Sequence, residues 1–507
     1  MKQLQVILIK PSKYGRKGEV ERFKTGFMPN ATLYHISALT PNQINGVPVS
    51  VKVVDEYVHQ NLGYLDLLHS HADEITVVAL VGVQSHQFQR ALDLAAYALK
   101  HGVRHVIVGG PHPMTCDTSD FHGRGVSFAL AEAELVWPEI LCDAIEGELK
   151  SVYGTERRWA ESLPDVIVSP PDTVDLGRYW APMLGLYPVR GCPYRCNFCS
   201  VIKISGRQVR SPEITSVIES LRRAKRGGVE TIMFVSDNFN KYPRVRELLE
   251  AIIAEKLNLR FFCQCDTQIA KDPELVDLLG RAGCFEMFVG VESFSRTALK
   301  AVTKLHNDPR RYADIVDLCS SAGIRPHFSN IIGFPDDDLE SIENHLEVLK
   351  ALQPKVASFF ILTPIPGTEQ YDEYRRTDLI FESNLDRFDA TTLTWRHPNL
   401  SADQLLDSLY ACYTKFHGHI LRTNKSLTPE DQRIAIFNRF TAAQRMHPMA
   451  GGIDKLRLDT ADDYRSLRRA TYDIDMAPLP SSLRLTEHDE LLNRHADWRQ
   501  VRSGATA

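Results

Sequence analysis

The sequence predicts an α/β fold with two consecutive parallel sheets. A doubly wound sheet comes first, followed by a partial (β/α)6 barrel and a mostly helical region. Short continuous apolar runs alternate with helical stretches as far as about residue 390. Such runs are typical of parallel strands that are buried on both faces. Beyond that point the apolar residues recur mainly with helical spacing.

Residues 1–150 are predicted to form the doubly wound domain. Its strands are predicted at 6–9, 51–54, 75–81 and 105–108, and its helices at 31–39, 65–70 and 88–100. Ligands of such sheets bind beyond the carboxyl ends of the strands. Two strand-end loops, at 83–86 and 109–113, are therefore expected to border a ligand pocket.

Residues 151–184 are predicted to be a linker, because they lack periodic apolar residues and contain a Ser-Pro-Pro-Asp run. Residues 185–390 repeat a strand–helix unit about six times, which indicates a partial barrel with its chemistry at the carboxyl ends of the strands. The barrel strands are predicted at 186–189, 231–235, 259–264, 287–291, 325–332 and 356–362, with helices between them, for example at 212–226 and 244–255.

Residues 391–507 are predicted to form a mostly helical C-terminal domain that binds substrate or caps the barrel. Its helices are predicted at 402–417 and 429–447, and a polar irregular tail is expected from Pro478 onward.

Composition narrows the functional class. The chain has 507 residues, of which 43% are hydrophobic and 24% charged, as in an ordinary globular protein. The net charge of −5 gives no reason to expect a nucleic-acid partner. No apolar run reaches about 18 residues, so no transmembrane segment is predicted, and the N-terminal apolar run is too short for a signal peptide. Ten cysteines, mostly scattered, indicate a reducing cytoplasm.

Three cysteines carry the most specific chemical signal. Cys192, Cys196 and Cys199 have the spacing C-x3-C-x2-C, directly after the first predicted barrel strand, and Phe198 precedes the last of them. Three thiolates on one short loop can hold three irons of a cubane [4Fe–4S] cluster and leave the fourth iron open. An open coordination position is what a reacting substrate or cofactor needs.

Two other interpretations of these cysteines are weaker. A structural zinc site usually needs four ligands, and the nearest other cysteines, Cys142 and Cys263, are distant in sequence. A disulfide framework is typical of short secreted chains with a higher cysteine content. Cys263 and Cys265 are two residues apart on a predicted strand, so they face one side and are predicted to be buried structural thiols.

The cysteine spacing resembles the signature of the radical S-adenosylmethionine (SAM) enzymes. In that family the open iron chelates the amino and carboxylate groups of SAM, and one electron from the cluster cleaves SAM. Later strand ends resemble the SAM-contacting motifs of the family. The resemblance implies an ammonium contact from Asp237 with Asn238 beside it, a ribose contact from Glu292, and an adenine-side motif that includes Asn330 and Gly333.

The N-terminal domain resembles the Rossmann-like cobalamin-binding domain that precedes many radical SAM domains. Small residues in the second loop would let a bulky ring approach the backbone. His122 lies in a motif whose histidine ligates cobalt in other cobalamin proteins, but it follows the wrong strand, so no imidazole ligand is expected. The resemblance covers residues 82–153 and implies cobalamin contacts from Ser85, Gly109, Gly110 and Pro111.

Together these features resemble the cobalamin-dependent (class B) radical SAM methyltransferases, such as the hopanoid C-methylases. Three cofactors are implied: a [4Fe–4S] cluster, SAM and cobalamin. A deoxyadenosyl radical would abstract hydrogen from an unactivated carbon of a small-molecule, lipid or natural-product substrate, and methylcobalamin would deliver the methyl group. An electron donor such as flavodoxin or ferredoxin would reduce the cluster.

Other activities stay open on the sequence alone. A relative with both cofactors can catalyse an oxidative cyclisation or a rearrangement without methyl transfer. An enzyme similar to the tryptophan methylase of thiopeptide biosynthesis would methylate without a deoxyadenosyl radical. A non-catalytic cobalamin or iron sensor would bind cofactor without consuming SAM, and the set of SAM-type motifs argues against it. The sequence does not define the substrate.

Overall fold

The structure is a computed structural model that describes residues 3–15, 20–59, 63–171 and 173–446. Its strands are β1 Gln3–Lys10, β2 Gln43–Ile44, β3 Val47–Asp55, β4 Glu74–Leu80, β5 His105–Gly109, β6 Val126–Ala129, β7 Val152–Tyr153, β8 Met183–Leu186, β9 Thr231–Phe234, β10 Arg260–Cys265, β11 Cys284–Glu292, β12 Arg325–Ile332 and β13 Val356–Ile361.

Helices separate most of the strands. The α-helices are α1 Ala31–Leu39, α2 Phe88–Lys100, α3 Pro111–Thr115, α4 Ala133–Glu146, α5 Thr173–Leu176, α6 Val201–Ile204, α7 Ile214–Arg226, α8 Val245–Glu255, α9 Pro273–Arg281, α10 Arg296–Ala301, α11 Tyr312–Ser321, α12 Leu339–Leu352, α13 Glu369–Arg376, α14 Ala402–Thr423 and α15 Pro429–Met446. Short 3-10 helices lie at Glu56–Val58, Gly63–Leu68, Ser85–Gln87, Ser119–Phe121, Phe239–Lys241, Thr267–Lys271, Pro309–Arg311 and Leu385–Arg387.

The first sheet has the strand order β2-β3-β1-β4-β5-β6-β7. Neighbouring strands are parallel except β2 and β3, which form an antiparallel hairpin around Asn45 and Gly46, both with positive φ. Strand β1 pairs with β3 on one side and β4 on the other. Strand order therefore reverses at β1, and ligands of doubly wound sheets bind in the crevice beyond such a reversal.

The second sheet has the order β8-β9-β10-β11-β12-β13, and every strand is parallel to its neighbours in sequence. Strands β8 and β13 are its edges, so the sheet is an open, partial barrel. In β10, Cys263 and Cys265 are buried in the core that the sheet shares with its helices, whereas Gln264 faces the inner side. The predicted α/β fold class is confirmed, and so are the two buried thiols.

Two predicted elements differ from the structure. The first barrel strand lies at Met183–Leu186 rather than at 186–189, because Pro188 has no N–H to contribute to a sheet. The helix predicted at 65–70 is a 3-10 helix at Gly63–Leu68. In the first half the prediction also lacks β2, β6, β7, α3 and α4. The three strands and α3 are short, and Pro138 interrupts the helical pattern of α4.

The two sheets meet where α1 lies against β8. A Cβ on Gly185 of β8 would be 2.3 Å from the Cβ of Ala31 in α1, so glycine permits this close packing. Just before these elements, the Gly26 N–H donates to Arg178 O at 2.9 Å and the Trp180 N–H donates to Gly26 O at 2.8 Å. The carboxyl ends of both sheets consequently open into one space.

Helices α14 and α15 complete the described chain. Helix α14 packs on β13, and α15 begins beside the amino ends of the barrel strands, where Asp431 pairs with Arg325 at 2.5 Å and with Lys355 at 3.2 Å. The tail predicted from Pro478 lies outside the described residues. No helix in the described ranges is long and apolar enough to cross a membrane. The predicted domain limits at 150, 184 and 390 stay predictions.

Candidate active site

A cavity of about 530 Å³ lies between the carboxyl ends of the two sheets. The first sheet contributes the ends of β1, β4, β5 and β6, including Gly109, Gly110 and Pro111. The second sheet contributes the ends of β8, β9 and β10, including Asp237. Cavities of this size hold cofactors and other small ligands. Four of the residues predicted to contact cofactors therefore share one cavity.

Gly110 brings two ligand loops of the first sheet into contact. Its φ is +133°, and a Cβ at this position would be 2.2 Å from the backbone N of Val83. The Val83 N–H donates to Gly109 O at 3.0 Å, and the His112 N–H donates to Val83 O at 2.8 Å. Glycine alone combines this backbone conformation with so close an approach.

Replacing Gly110 by alanine is expected to lower the melting temperature strongly. The substitution adds backbone strain of about 1–3 kcal/mol and also a clash with backbone atoms. Gly123→Ala is the matched control, because Gly123 has φ +73° but nothing lies within 4 Å of a Cβ there. Differential scanning fluorimetry compares the two variants, and equal losses of melting temperature would contradict the close-contact role of Gly110.

The cysteine loop, defined as residues 191–209, is closed at its base. Arg190 and Arg210 flank it and pair as an antiparallel bridge with both N–H···O distances at 2.9 Å. Inside the loop the Cys192 N–H donates to Gly206 O at 3.2 Å, and the Cys199 N–H donates to Cys196 O at 3.1 Å. These bonds hold the three free thiols together on one compact loop.

The three thiols are close enough to influence one another. Burial, aided by the neighbouring thiols and opposed by Lys304, raises the pKa of Cys196 to about 11 and that of Cys199 to about 12. Iron ligation requires thiolates, so cluster binding must release these protons. No three His, Cys, Asp or Glu side chains in the described ranges are arranged to hold a single metal ion. Three thiols on one loop fit a cubane cluster, which binds one thiolate at each iron.

The loop after β9 contacts the cysteine loop. Asp237 Oδ2 accepts a hydrogen bond from the Gly191 N–H at 2.7 Å, and burial raises the pKa of Asp237. Asn238 donates to Asp266 Oδ2 at 2.6 Å, and its amide nitrogen lies 4.0 Å from Cys192 Sγ. Asp237 therefore touches both the cysteine loop and the cavity. Its predicted contact with SAM stays a prediction, as does that of Asn238.

Glu292 ends β11 in a strained conformation. Its φ is +60°, which costs a non-glycine residue about 1–3 kcal/mol and is a feature that collects at functional sites. Its carboxylate accepts from Lys304 Nζ at 2.6 Å and from Ser329 Oγ at 3.2 Å. A Cβ on Gly290 would be 2.6 Å from Glu292 Oε1 and 2.8 Å from Lys304 Nζ, so glycine leaves room for this pair.

Three other residues predicted to contact cofactors have partners within the protein. Asn330 is fully buried, and its amide bonds two backbone carbonyls and His345. The Gly333 N–H donates to a carboxylate in the following turn at 2.9 Å. Ser85 Oγ lies 3.0 Å from His112 Nδ1. None of the three is among the residues that line the cavity, and their cofactor contacts stay predictions.

Sequence reasoning missed several polar residues of the site. Ser236 Oγ and Glu134 Oε2 are buried, belong to residues that line the cavity, and have no hydrogen-bond partner among the described residues. Buried polar atoms without a partner are rare and call for a ligand or water. The cavity thus fits a polar cofactor that reaches both sheets. Lys304 was not predicted as a site residue either, because only the folded structure brings it next to Glu292.

Part of the chain matches a known protein family, and individual relatives extend the similarity. Residues 186–349 match the family described as the Radical SAM superfamily. The bacteriochlorophyllide d C-12(1)-methyltransferase of Chlorobaculum tepidum is 28% identical over 313 residues, which cover 60% of this chain and 66% of the relative, just under two thirds. The hopanoid C-2 methylase of Rhodopseudomonas palustris is 26% identical over 378 residues, covering 71% of this chain and 68% of that protein.

A solved structure shows a similar fold. The radical S-adenosylmethionine methyltransferase TsrM of Kitasatospora setae, with cobalamin and a [4Fe–4S] cluster bound, has a TM-score of 0.62 at 16% identity. The alignment covers 93% of this chain and 100% of that one. The family match includes the cysteine loop, Asp237 and Glu292. This family match confirms the radical SAM resemblance seen in the sequence. A radical SAM domain implies SAM and a [4Fe–4S] cluster as cofactors. Residues 186–349 are thus identified as a radical SAM domain, and the chain as a whole is similar to methyltransferases.

Proposed function

We propose that the protein is a cobalamin-dependent radical SAM methyltransferase that methylates an unactivated carbon. The shared cavity carries this proposal, because its walls come from the ligand loops of both sheets. A methyl carrier on the first sheet would face the second sheet across it, where Asp237 links the cavity to the cysteine loop. Holding reactants in such a fixed geometry is a large part of what an enzyme contributes to a reaction.

Residues of the second sheet would hold the cluster and SAM. Cys192, Cys196 and Cys199 would bind three irons of the cluster. Asp237 would accept hydrogen bonds from the SAM ammonium group, and Glu292 would accept them from the ribose hydroxyls. The bound cluster and SAM supply the electron and the radical chemistry. The protein orients them and keeps water from the cavity.

Other predicted SAM-site residues would act mainly through their neighbours. Asn238 bonds Asp266 and so fixes the loop that carries Asp237. Asn330 ties β12 to β13 through its bond to Ser358 O at 3.2 Å. Gly333, with φ +81°, would let the backbone turn beside the adenine.

Residues of the first sheet would hold cobalamin. Gly109, Gly110 and Pro111 line the cavity, and Ser85 lies behind them through its contact with His112. TsrM, whose fold is similar, contains cobalamin. In this proposal residues 1–150 form the cobalamin domain, 151–184 a linker, 185–390 the radical SAM barrel and 391–507 a substrate-binding or cap domain.

The proposed substrate is a small molecule, lipid or natural product. The names of the two relatives specify a bacteriochlorophyllide and a hopanoid. The proposed electron donor is a flavodoxin or ferredoxin, and the proposed compartment is the reducing cytoplasm, where scattered free cysteines persist.

The test is anaerobic purification of the full chain with hydroxocobalamin supplied, followed by iron and cobalt counts and product analysis by mass spectrometry. We expect roughly four irons and one cobalt per chain, SAM-derived 5′-deoxyadenosine, and a substrate product heavier by one CH2. Iron without cobalt would contradict the cobalamin assignment. SAM cleavage without a CH2 gain would identify a cyclase or rearranging enzyme, and methylation without 5′-deoxyadenosine a non-radical methylase. Cofactor binding without SAM consumption would indicate a non-catalytic sensor.

A further inference from the structure

An ion network joins the two sheets at the base of the cysteine loop. It consists of Glu132, Glu134, Arg190 and Arg210, whose side chains are only 3–14% exposed. Arg210 donates to both oxygens of Glu132, at 2.7 and 2.8 Å. Arg190 Nη2 donates to Glu134 Oε1 at 2.8 Å, and Arg190 Nη1 lies 3.6 Å from Glu132. The network therefore contains two carboxylates from one sheet and two guanidinium groups from the other.

The network connects the two loops that would carry cofactors. Glu132 and Glu134 follow β6 of the first sheet. Arg190 and Arg210 are the residues whose backbone pairing closes the cysteine loop. Glu132, Glu134 and Arg190 also line the cavity. A ligand in the cavity consequently meets the same side chains that hold the cysteine loop in place.

A buried ion network is weak evidence for a contribution to stability. Buried ion pairs often stabilise a protein no more than apolar side chains of similar volume, so fixed geometry is the better reason for such a network. Burial opposes the charge of Glu134, but Arg190 and His35 hold its pKa well below its usual range. Glu134 is therefore a carboxylate at neutral pH. Its Oε1 accepts from Arg190 and lies 2.7 Å from His35 Nε2, whereas its buried Oε2 has no hydrogen-bond partner in the described part of the chain.

We propose that the ion network couples the two cofactor sites. Glu134 Oε2 receives a hydrogen bond from an amide donor of the ligand on the first sheet, such as the side-chain amides of a corrin ring. Arg190 then transmits the position of Glu134 to the cysteine loop, so the corrinoid and the iron–sulfur cluster bind with positive cooperativity. Glu134 and Arg190 are positioning residues in this scheme. The inference rests on the proposed function, because it requires both cofactors.

Linkage makes the proposal measurable without any methylation assay. If the cluster raises the affinity for cobalamin, cobalamin must raise the affinity for the cluster by the same factor. Equilibrium binding of hydroxocobalamin is therefore measured anaerobically on the full chain, first without iron and then with the cluster reconstituted. For the wild-type chain we expect Kd to be roughly 5- to 150-fold lower with the cluster present, the range of typical coupling between sites.

Glu134→Gln is the test variant, because glutamine keeps the size of the side chain but loses the charge that holds Arg190. The ratio of the two Kd values is expected to fall close to one. A purely structural role would weaken both bindings equally and leave the ratio unchanged. Glu382→Gln is the control: the Glu382 side chain is also only 5% exposed and pairs with Arg387 at 2.7 Å, outside the network. This control is expected to keep the wild-type ratio.

Arg190→Lys provides an independent variant if Glu134→Gln does not fold. Lysine keeps the positive charge but loses the planar fork of the guanidinium group, so an intermediate ratio is expected. A wild-type chain that binds no cobalamin would overturn the proposed function itself. A wild-type chain that binds cobalamin equally with and without the cluster, or a Glu134→Gln variant that keeps the wild-type ratio, would overturn the coupling alone.

Discussion

Replacing Cys196 by alanine is expected to abolish reductive SAM cleavage. Two thiolates cannot hold a cubane cluster in a stable position with one iron open, so the variant should lose most of the roughly four irons expected per chain. The change removes one small, buried side chain, and the bridge between Arg190 and Arg210 still closes the loop. Iron content, the EPR spectrum of the reduced protein and 5′-deoxyadenosine formation measure the effect.

Cys142→Ala is the matched control for this experiment. Cys142 is also a free cysteine, half-buried where Cys196 is buried, but it lies on α4, outside the cysteine loop. The control is expected to keep its iron and its SAM cleavage. If Cys196→Ala retained SAM cleavage, the assignment of the cysteine loop as the cluster site would be wrong.

Replacing Glu292 by alanine is expected to have two separate effects. The first is on stability: Lys304 Nζ, 2.6 Å from the carboxylate, would become a buried cation without its partner, which typically costs about 3–5 kcal/mol. The second is on SAM binding: losing a charge-assisted hydrogen bond of about 1.5–3 kcal/mol should weaken binding roughly 10- to 100-fold. Thermal unfolding and equilibrium SAM binding measure the two effects.

A double variant separates these effects. Glu292→Ala combined with Lys304→Met removes both charges and leaves no acceptor at position 292, so the melting temperature is expected to return most of the way to that of the wild type. SAM affinity should stay low, because the ribose hydroxyls still lack their carboxylate acceptor. Recovery of both stability and SAM affinity in the double variant would show that Glu292 serves the fold alone.

The fold was largely predictable because most of its strands are continuous apolar runs in the sequence. The predicted strand at 325–332 matches β12, and the predicted helices at 31–39 and 88–100 match α1 and α2. Prediction failed where local chemistry competed with the apolar pattern. The first barrel strand begins three residues before its predicted start, because Pro188 does not fit a strand. Helix α4 was not predicted, because Pro138 interrupts its helical pattern.

The site was only partly predictable, because sequence motifs mark strand ends but not their partners. The three cysteines could be singled out by their spacing, and Glu292 because a carboxylate ends an otherwise apolar strand. The side chains that surround them could not. Arg190 and Glu134 are 56 positions apart in the sequence, and no local pattern indicates that they form a buried pair. Contacts of this kind arise only when two sheets pack together.

The contact of α1 with β8 affects how the chain can be divided. All four residues of this edge strand are buried, and the backbone beside it bonds to Gly26, which belongs to the other half of the chain. A fragment that begins near residue 183 would expose this edge, and bare strand edges invite aggregation. During synthesis the ribosome releases α1 long before β8, so the first half can fold first and cover this edge as it emerges. A gene split between the two sheets would lose that protection.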